Sequence, residues 1–132
     1  MLQDGHAYAK LPASDLERAR RFYVDTLGFR PTAEGPGFLR FQCGGESSFL
    51  VFSSSGRASG DHDQCGWVVD DIDAEVAELR RRGIVFEEFP GYVFEDGVRV
   101  DPAGRSAWFR DTEGNLLNLR SDFPRNGAAG RS

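Results

Sequence analysis

Apolar and polar positions along this chain fall into two passes of one pattern. Residues His6 to Leu11 alternate with period two between Gly5 and Pro12, as a half-buried strand does. Ser14-Asp15-Leu16-Glu17 follows and predicts a capping box. The Ser14 hydroxyl would accept from a free backbone N–H while Glu17 reaches back. Leu16, Ala19 or Arg20, Tyr23 and Leu27 recur at helical spacing, and Gly28 stops the helix. Phe38 to Cys43 and Ser48 to Ser53 read as strands joined through Gly44-Gly45-Glu46-Ser47. Ser53 to Gly60 is small and polar, a loop or linker.

The pattern then restarts. Gln64 to Val69 reads as a strand, and Asp70 or Asp71 caps a helix that carries Ile72, Val76 and Leu79 on one face and ends at Gly83. Ile84 to Phe89 reads as a strand, and Pro90 to Gly104 as a long irregular segment. Ser106 to Arg110 and Asn115 to Arg120 form a hairpin around Asp111-Thr112-Glu113-Gly114. Asp15 and Asp71 stand 56 positions apart, so the chain repeats a strand–helix–strands unit. Each half is too small to bury a helix and a sheet alone. The expectation is an α+β fold in which two sheets curl around a shared concavity with helices outside. It forms one domain over residues 1–124, with modules at 5–55 and 62–122 and a flexible tail at 125–132.

A length of 132 residues agrees with one domain. The formal net charge is -5, from 16 basic and 21 acidic side chains, which argues against a nucleic-acid partner. Two His and two Cys, without CxxC or HxxxH spacing, exclude zinc-finger and metalloprotease readings. Cys43 and Cys65 show no disulfide-framework spacing, so a reducing cytoplasm is expected. No apolar run suits a membrane span, and no signal peptide is visible at the N-terminus. Eleven Phe are more than a core of this size needs, so some are expected to line a cavity.

Asp15-Leu16-Glu17-Arg18-Ala19-Arg20-Arg21-Phe22-Tyr23, followed by Leu27-Gly28-Phe29, resembles the first-helix signature of the vicinal oxygen chelate superfamily. Members of that superfamily include glyoxalase I, extradiol dioxygenases, fosfomycin resistance enzymes and bleomycin resistance proteins. Val69-Asp70-Asp71-Ile72 to Arg82-Gly83 is similar to the second helix of those proteins. Trp108-Phe109-Arg110-Asp111-Thr112-Glu113-Gly114-Asn115 is similar to their closing hairpin, with Thr112 where Pro is usual. The resemblance covers roughly residues 6 to 120. It implies paired βαβββ modules forming a cupped mixed sheet, commonly as a homodimer.

Enzymes of the superfamily hold a divalent metal with side chains from four strands. The matching positions here are Tyr8, a residue near Val51, Gln64 and Asn118. Neutral amides are weak ligands, Val is none, and no carboxylate balances a dication, so no metal is expected. A shifted site at His6 and His62, also 56 apart, is the alternative.

Strand alternation separates the faces. His6, Tyr8 and Lys10 are expected to face the cup, as are Gln64, Gly66 and Val68, and Ser106, Trp108, Asn118 and Arg120. Phe38 and Arg40 share one face of their strand, and Phe49 and Val51 one face of theirs. Tyr8, Phe38, Phe49 and Trp108 would supply flat apolar surfaces, with Arg40, Gln64, Ser106, Asn118 and Arg120 as polar points. Tyr92 and Phe94 of the irregular segment would act as a lid.

These features lead to the expectation of a metal-free protein that sequesters a small aromatic or polycyclic ligand, as bleomycin resistance proteins do. The alternative is a divergent metal-dependent lyase, isomerase or dioxygenase, or a cofactor-free enzyme of the same superfamily. A regulatory or interaction module without a cavity is the third possibility.

Overall fold

The computed structural model describes residues 1–122 apart from 59 and 103. The tail expected at 125–132 lies outside the described residues. Among the described residues, nine strands and two α-helices fall into two units. The first unit takes Met1–Cys65 with Arg110–Leu116, and the second takes Gly66–Phe109 with the described residues from Leu117 on. No helix among the described residues is long and apolar enough to cross a membrane.

The first unit opens on a short 3-10 turn, Leu2–Asp4, and strand β1, Ala9–Ala13. The expected strand starts three residues late because its parallel partner β4, Ser48–Ser53, gives the first pair at Ala9 and Phe49. His6 and Tyr8 therefore precede the strand. Helix α1, Leu16–Arg20, is capped by Asp15, whose side chain accepts from the Arg18 N–H at 3.0 Å. The Ser14 hydroxyl, expected to cap, donates instead to Glu113 at 3.3 Å. The chain continues as a π-helical turn, Arg21–Thr26, which puts the adjacent Phe22 and Tyr23 both in the core.

Strand β2, Pro31–Gly35, was not anticipated. It is the edge of the sheet β1-β4-β3-β2, where Pro31 costs no central ladder bond. Strand β3, Phe38–Gln42, and β4 form the expected hairpin. On one face of this sheet the Phe41 and Phe49 rings stack at 4.9 Å. Tyr23 packs 5.8 and 5.6 Å from these two rings, and Phe29 lies 5.1 Å from Phe49.

A polar lattice ties the Asp111–Asn115 turn to this core. The Tyr23 hydroxyl donates to Asp111 Oδ2 at 2.7 Å, and Asn115 Nδ2 donates to the same oxygen at 2.8 Å. Asp111 Oδ1 accepts the N–H groups of Glu113 and Asn115. The Glu113 side chain is only 1% exposed and accepts from Arg18, Ser14, the Asp15 N–H and Thr112.

In the second unit, β5, Cys65–Val68, leads to helix α2, Ile72–Arg81, capped by Asp71. Ile72, Val76 and Leu79 are buried as its periodicity predicts. The strand expected at Ile84 to Phe89 is not formed: its chain makes one bridge, from Glu87 to Trp108. The rest of that edge is taken by the segment read as irregular. It forms a hairpin of β6, Phe94–Glu95, and β7, Val98–Asp101, and β7 pairs with β8, Gly104–Arg110. Asp96 and Gly97 turn that hairpin with φ of 53° and 84°, the two positive values that a two-residue turn of this type requires. Strand β9, Leu116–Asp122, completes the sheet β5-β9-β8-β7-β6.

Candidate functional site

The two faces of the five-stranded sheet are told apart by one ion pair. Arg105 of β8 holds Asp73 of α2 at 2.7 and 2.9 Å, so Arg105, Ala107 and Phe109 lie on the helix side. Ser106 and Trp108 point the other way, as expected. Cross-strand partners share a face, so Phe94, Arg99 and Ser106 follow one another across β6, β7 and β8. Arg120 of β9 reaches the Ser106 hydroxyl at 3.2 Å and extends the row.

Aromatic rings close over this row. Trp108 meets Phe89 at 5.6 Å and Phe94 at 6.2 Å, both nearly edge to face. Phe89 and Phe94 are 6.4 Å apart. The Arg99 guanidinium lies 4.1 Å from the Tyr92 ring centre, and its Nε is 3.3 Å from Asp101. Phe94, Trp108 and Phe89 are half-buried, and Tyr92 is 54% exposed. The face thus joins ring surfaces to two guanidinium groups and a buried hydroxyl, the mixture that orients a planar organic molecule. Of the residues expected here, Tyr92, Phe94, Ser106, Trp108 and Arg120 come together. Phe89 and Arg99 were missed. The Asp96-Gly97 pair marks the hairpin that brings Arg99 beside Phe94.

Asn118 is buried, but its Nδ2 donates to the Ala107 and Leu119 carbonyls, and its Oδ1 faces Gly66. A Cβ at residue 66 would stand 3.2 Å from that oxygen. The side chain is thus held by backbone.

The four-stranded sheet has its own outward face. Phe49 and Val51, expected to line a site, are instead 2% and 0% exposed in the core. Their cross-strand partners are Phe41 and Leu39, also buried, so β4 sits with the opposite parity to the one expected. Leu50 and Phe52 take the outward positions, beside Phe38, Arg40 and Lys10. The Phe38 ring lies across Gly35, where a Cβ would come within 2.7 Å of it.

Tyr8 is 54% exposed, ahead of β1. Gln64 stands just before β5, bonded through its N–H to the Leu116 carbonyl, and its Oε1 is buried without a partner among the described residues. His6 lies 3.5 Å from Glu46, and both side chains are well exposed. Neither His6 nor His62 lies on a strand, so the alternation argument for a shared face does not apply. The first unit also has a cavity of about 340 Å³ lined in part by Ser14, Ser55, Arg57 and Glu113. Its Glu113 carboxylate is already saturated with donors.

A divalent ion does not fit the positions where the resemblance places ligands. Tyr8 offers a phenol, Gln64 and Asn118 offer amides, and the β4 position offers a hydrocarbon whichever register is taken. Among the described residues no three His, Cys, Asp or Glu side chains group to hold a metal. Asn118 has its amide donors committed to backbone.

A model of the glyoxalase/bleomycin resistance protein/dioxygenase superfamily matches residues 5–119. The chain belongs to this superfamily. A glyoxalase/bleomycin resistance protein from Streptomyces sp. CB03234 is 31% identical, with a TM-score of 0.68 over 89% of this chain and 100% of that one. TnmS3, an antibiotic binding protein from the same source, is 29% identical, with a TM-score of 0.73 over 93% and 99% of the two chains. A glyoxalase family protein from Enterococcus faecalis, 23% identical with a TM-score of 0.70, shares the fold over 92% and 100%. Comparison with curated proteins gives no match. The α+β fold expected from the repeat, and the glyoxalase/bleomycin resistance fold that the resemblance implies, are the observed ones. At the positions where the resemblance places metal ligands, the chain carries residues that do not suit a metal.

Proposed function

We propose that this superfamily member binds an aromatic small molecule stoichiometrically, without a metal, and protects the cell by sequestering it. The observation that carries the reading is the ring cluster of Trp108, Phe89 and Phe94 beside Arg99, Ser106 and Arg120. Rings would stack on a planar ligand, each pair adding roughly 0.5–1.5 kcal/mol beyond area burial. Ser106 and Arg120 would orient its polar substituents. The likeness to an antibiotic binding protein over nearly the whole chain supports an antibiotic as the ligand class. In the first unit, Tyr8, Phe38 and Arg40 are proposed as ligand contacts in their own right. A homodimer belongs to the same proposal, with the exposed Tyr92 and Val93 as apolar surface for it; light scattering checks that part.

Isothermal titration with a panel of aromatic antibiotics tests the proposal, with elemental analysis of the same protein. The expected result is one equivalent bound, the compound recovered unchanged, and no stoichiometric metal. Turnover of the compound, or a metal required for binding, overturns it in favour of an enzyme.

A further inference from the structure

The outward face of the four-stranded sheet carries two rows of distinct chemistry. One row runs Pro12, Phe52, Phe38 and Gly35 across the four strands, as the register dictates. The neighbouring row runs Lys10, Leu50, Arg40 and Ala33. Lys10 and Arg40 are therefore two strands apart, about 10 Å between backbones, with Leu50 between them. Both are exposed, while Leu50, Phe38 and Phe52 are half-buried. The Lys10 Nζ stands 5.3 Å from the Phe52 ring centre.

The four strands place no acid on this face. The four strands contain a single carboxylate, Glu34, whose partner is Leu39, so it points to the core side. There it binds Arg20 of α1 at 3.2 Å. Among the described residues, neither Lys10 nor Arg40 has a carboxylate within ion-pair distance. A chain with net charge -5 thus places two uncompensated cations at the edge of a flat apolar floor. Lys10 is also the only lysine in the chain.

We infer that this face takes a planar aromatic compound bearing an ionised acid group, its ring on Phe38 and Phe52 and its acid held by Lys10 and Arg40. The inference rests on the small-molecule reading of the fold and gives this face of the first unit a ligand class of its own, set by charge. Two long cationic side chains reach a common oxyanion from either side of Leu50, and a ring attached to it lies over the apolar row. A neutral compound of the same shape gains the apolar contact alone. The anion gains charge-assisted hydrogen bonds as well.

The sole lysine makes the test direct. Reductive methylation with carbon-13 formaldehyde labels Lys10 and the N-terminal amine and keeps both charges. The labelled full chain is titrated with anilinonaphthalene sulfonate, a planar acid, and with phenylnaphthylamine, its neutral counterpart. The sulfonate is expected to bind more tightly and to shift the Lys10 methyl resonance, while the N-terminal signal stays in place. Lys10→Gln and Arg40→Gln should each weaken the sulfonate about tenfold and leave the amine unchanged. Arg30→Gln, an exposed charge outside the sheet, should change neither. Equal affinities for the two probes, or sulfonate binding that leaves the Lys10 signal unmoved, overturns the inference while the small-molecule reading stands. Failure of both probes and of the antibiotic panel overturns both.

Discussion

The Tyr23 hydroxyl donates a 2.7 Å hydrogen bond to Asp111 Oδ2, and neither residue is more than 6% exposed. A residue in a π-helical turn is thereby bonded to the closing turn 88 positions later. Burial beside the Asp111 carboxylate pushes the Tyr23 pKa well above its ordinary value, so the phenol stays a donor throughout the working pH range. Tyr23→Phe keeps the ring packing and removes the donor. It should destabilise the protein by about 1–3 kcal/mol, because a buried charged acceptor loses a partner, and urea denaturation reads the change.

Glu113 gives a pH-dependent contribution. The Arg18 guanidinium hydrogen-bonds its carboxylate and, with the Asp15 N–H and Thr112, holds its pKa down at about 2 against an ordinary 4.5. A depressed acid contributes stability that is fully present above pH 4.5 and lost as pH falls towards 2. With Arg18 itself 45% exposed and screened, the contribution is on the order of 2 kcal/mol at neutral pH. Glu113→Gln should lose most of it at pH 7, and denaturation curves of variant and wild type should converge in acid.

The Asp96-Gly97 turn positions the ring cluster. Gly97 has φ of 84°, and a Cβ there would collide with the Arg80 guanidinium, which binds the Asp96 carbonyl at 2.8 Å. Gly97→Ala should cost about 1–3 kcal/mol and loosen aromatic-ligand binding by moving Phe94, whereas Gly83→Ala, at φ 94° with open space around it, should cost stability alone. Denaturation and ligand titration on both variants separate the two effects.

Trp108 is the centre of the proposed site, and its ring lies on the face away from α2. Trp108→Ala should therefore leave a folded protein, as circular dichroism would record, and weaken aromatic ligands about tenfold to a hundredfold. Phe109→Ala, on the helix side of the same strand and 1% exposed, should instead cost about 3–5 kcal/mol of stability.

Much of this arrangement is legible in the sequence. The division between Phe109 and Trp108 follows from alternation along one strand, and the α2 face from spacing three and four. Phe49 and Val51 were misplaced because alternation gives two faces without saying which is inward. The parallel pairing of Ala9 with Phe49 decides that, and it is a long-range fact. The cap moved from Ser14 to Asp15 for the same reason, since Glu113 from the far end of the chain claims the Ser14 hydroxyl. The Asp96-Gly97 turn is different: its signal is local and was present, though hidden inside a segment read as irregular.

The most direct test of metal-free aromatic binding uses Trp108 as its own reporter. Trp67 and Trp108 are the only tryptophans, so Trp67→Phe leaves a single emitter in the proposed site. That variant, treated with chelator, is titrated with the antibiotic panel while Trp108 emission is followed. Saturable quenching at one equivalent, unchanged when divalent metals are restored, is the predicted result. Emission that responds only after metal is added, or to no compound at all, would contradict the account.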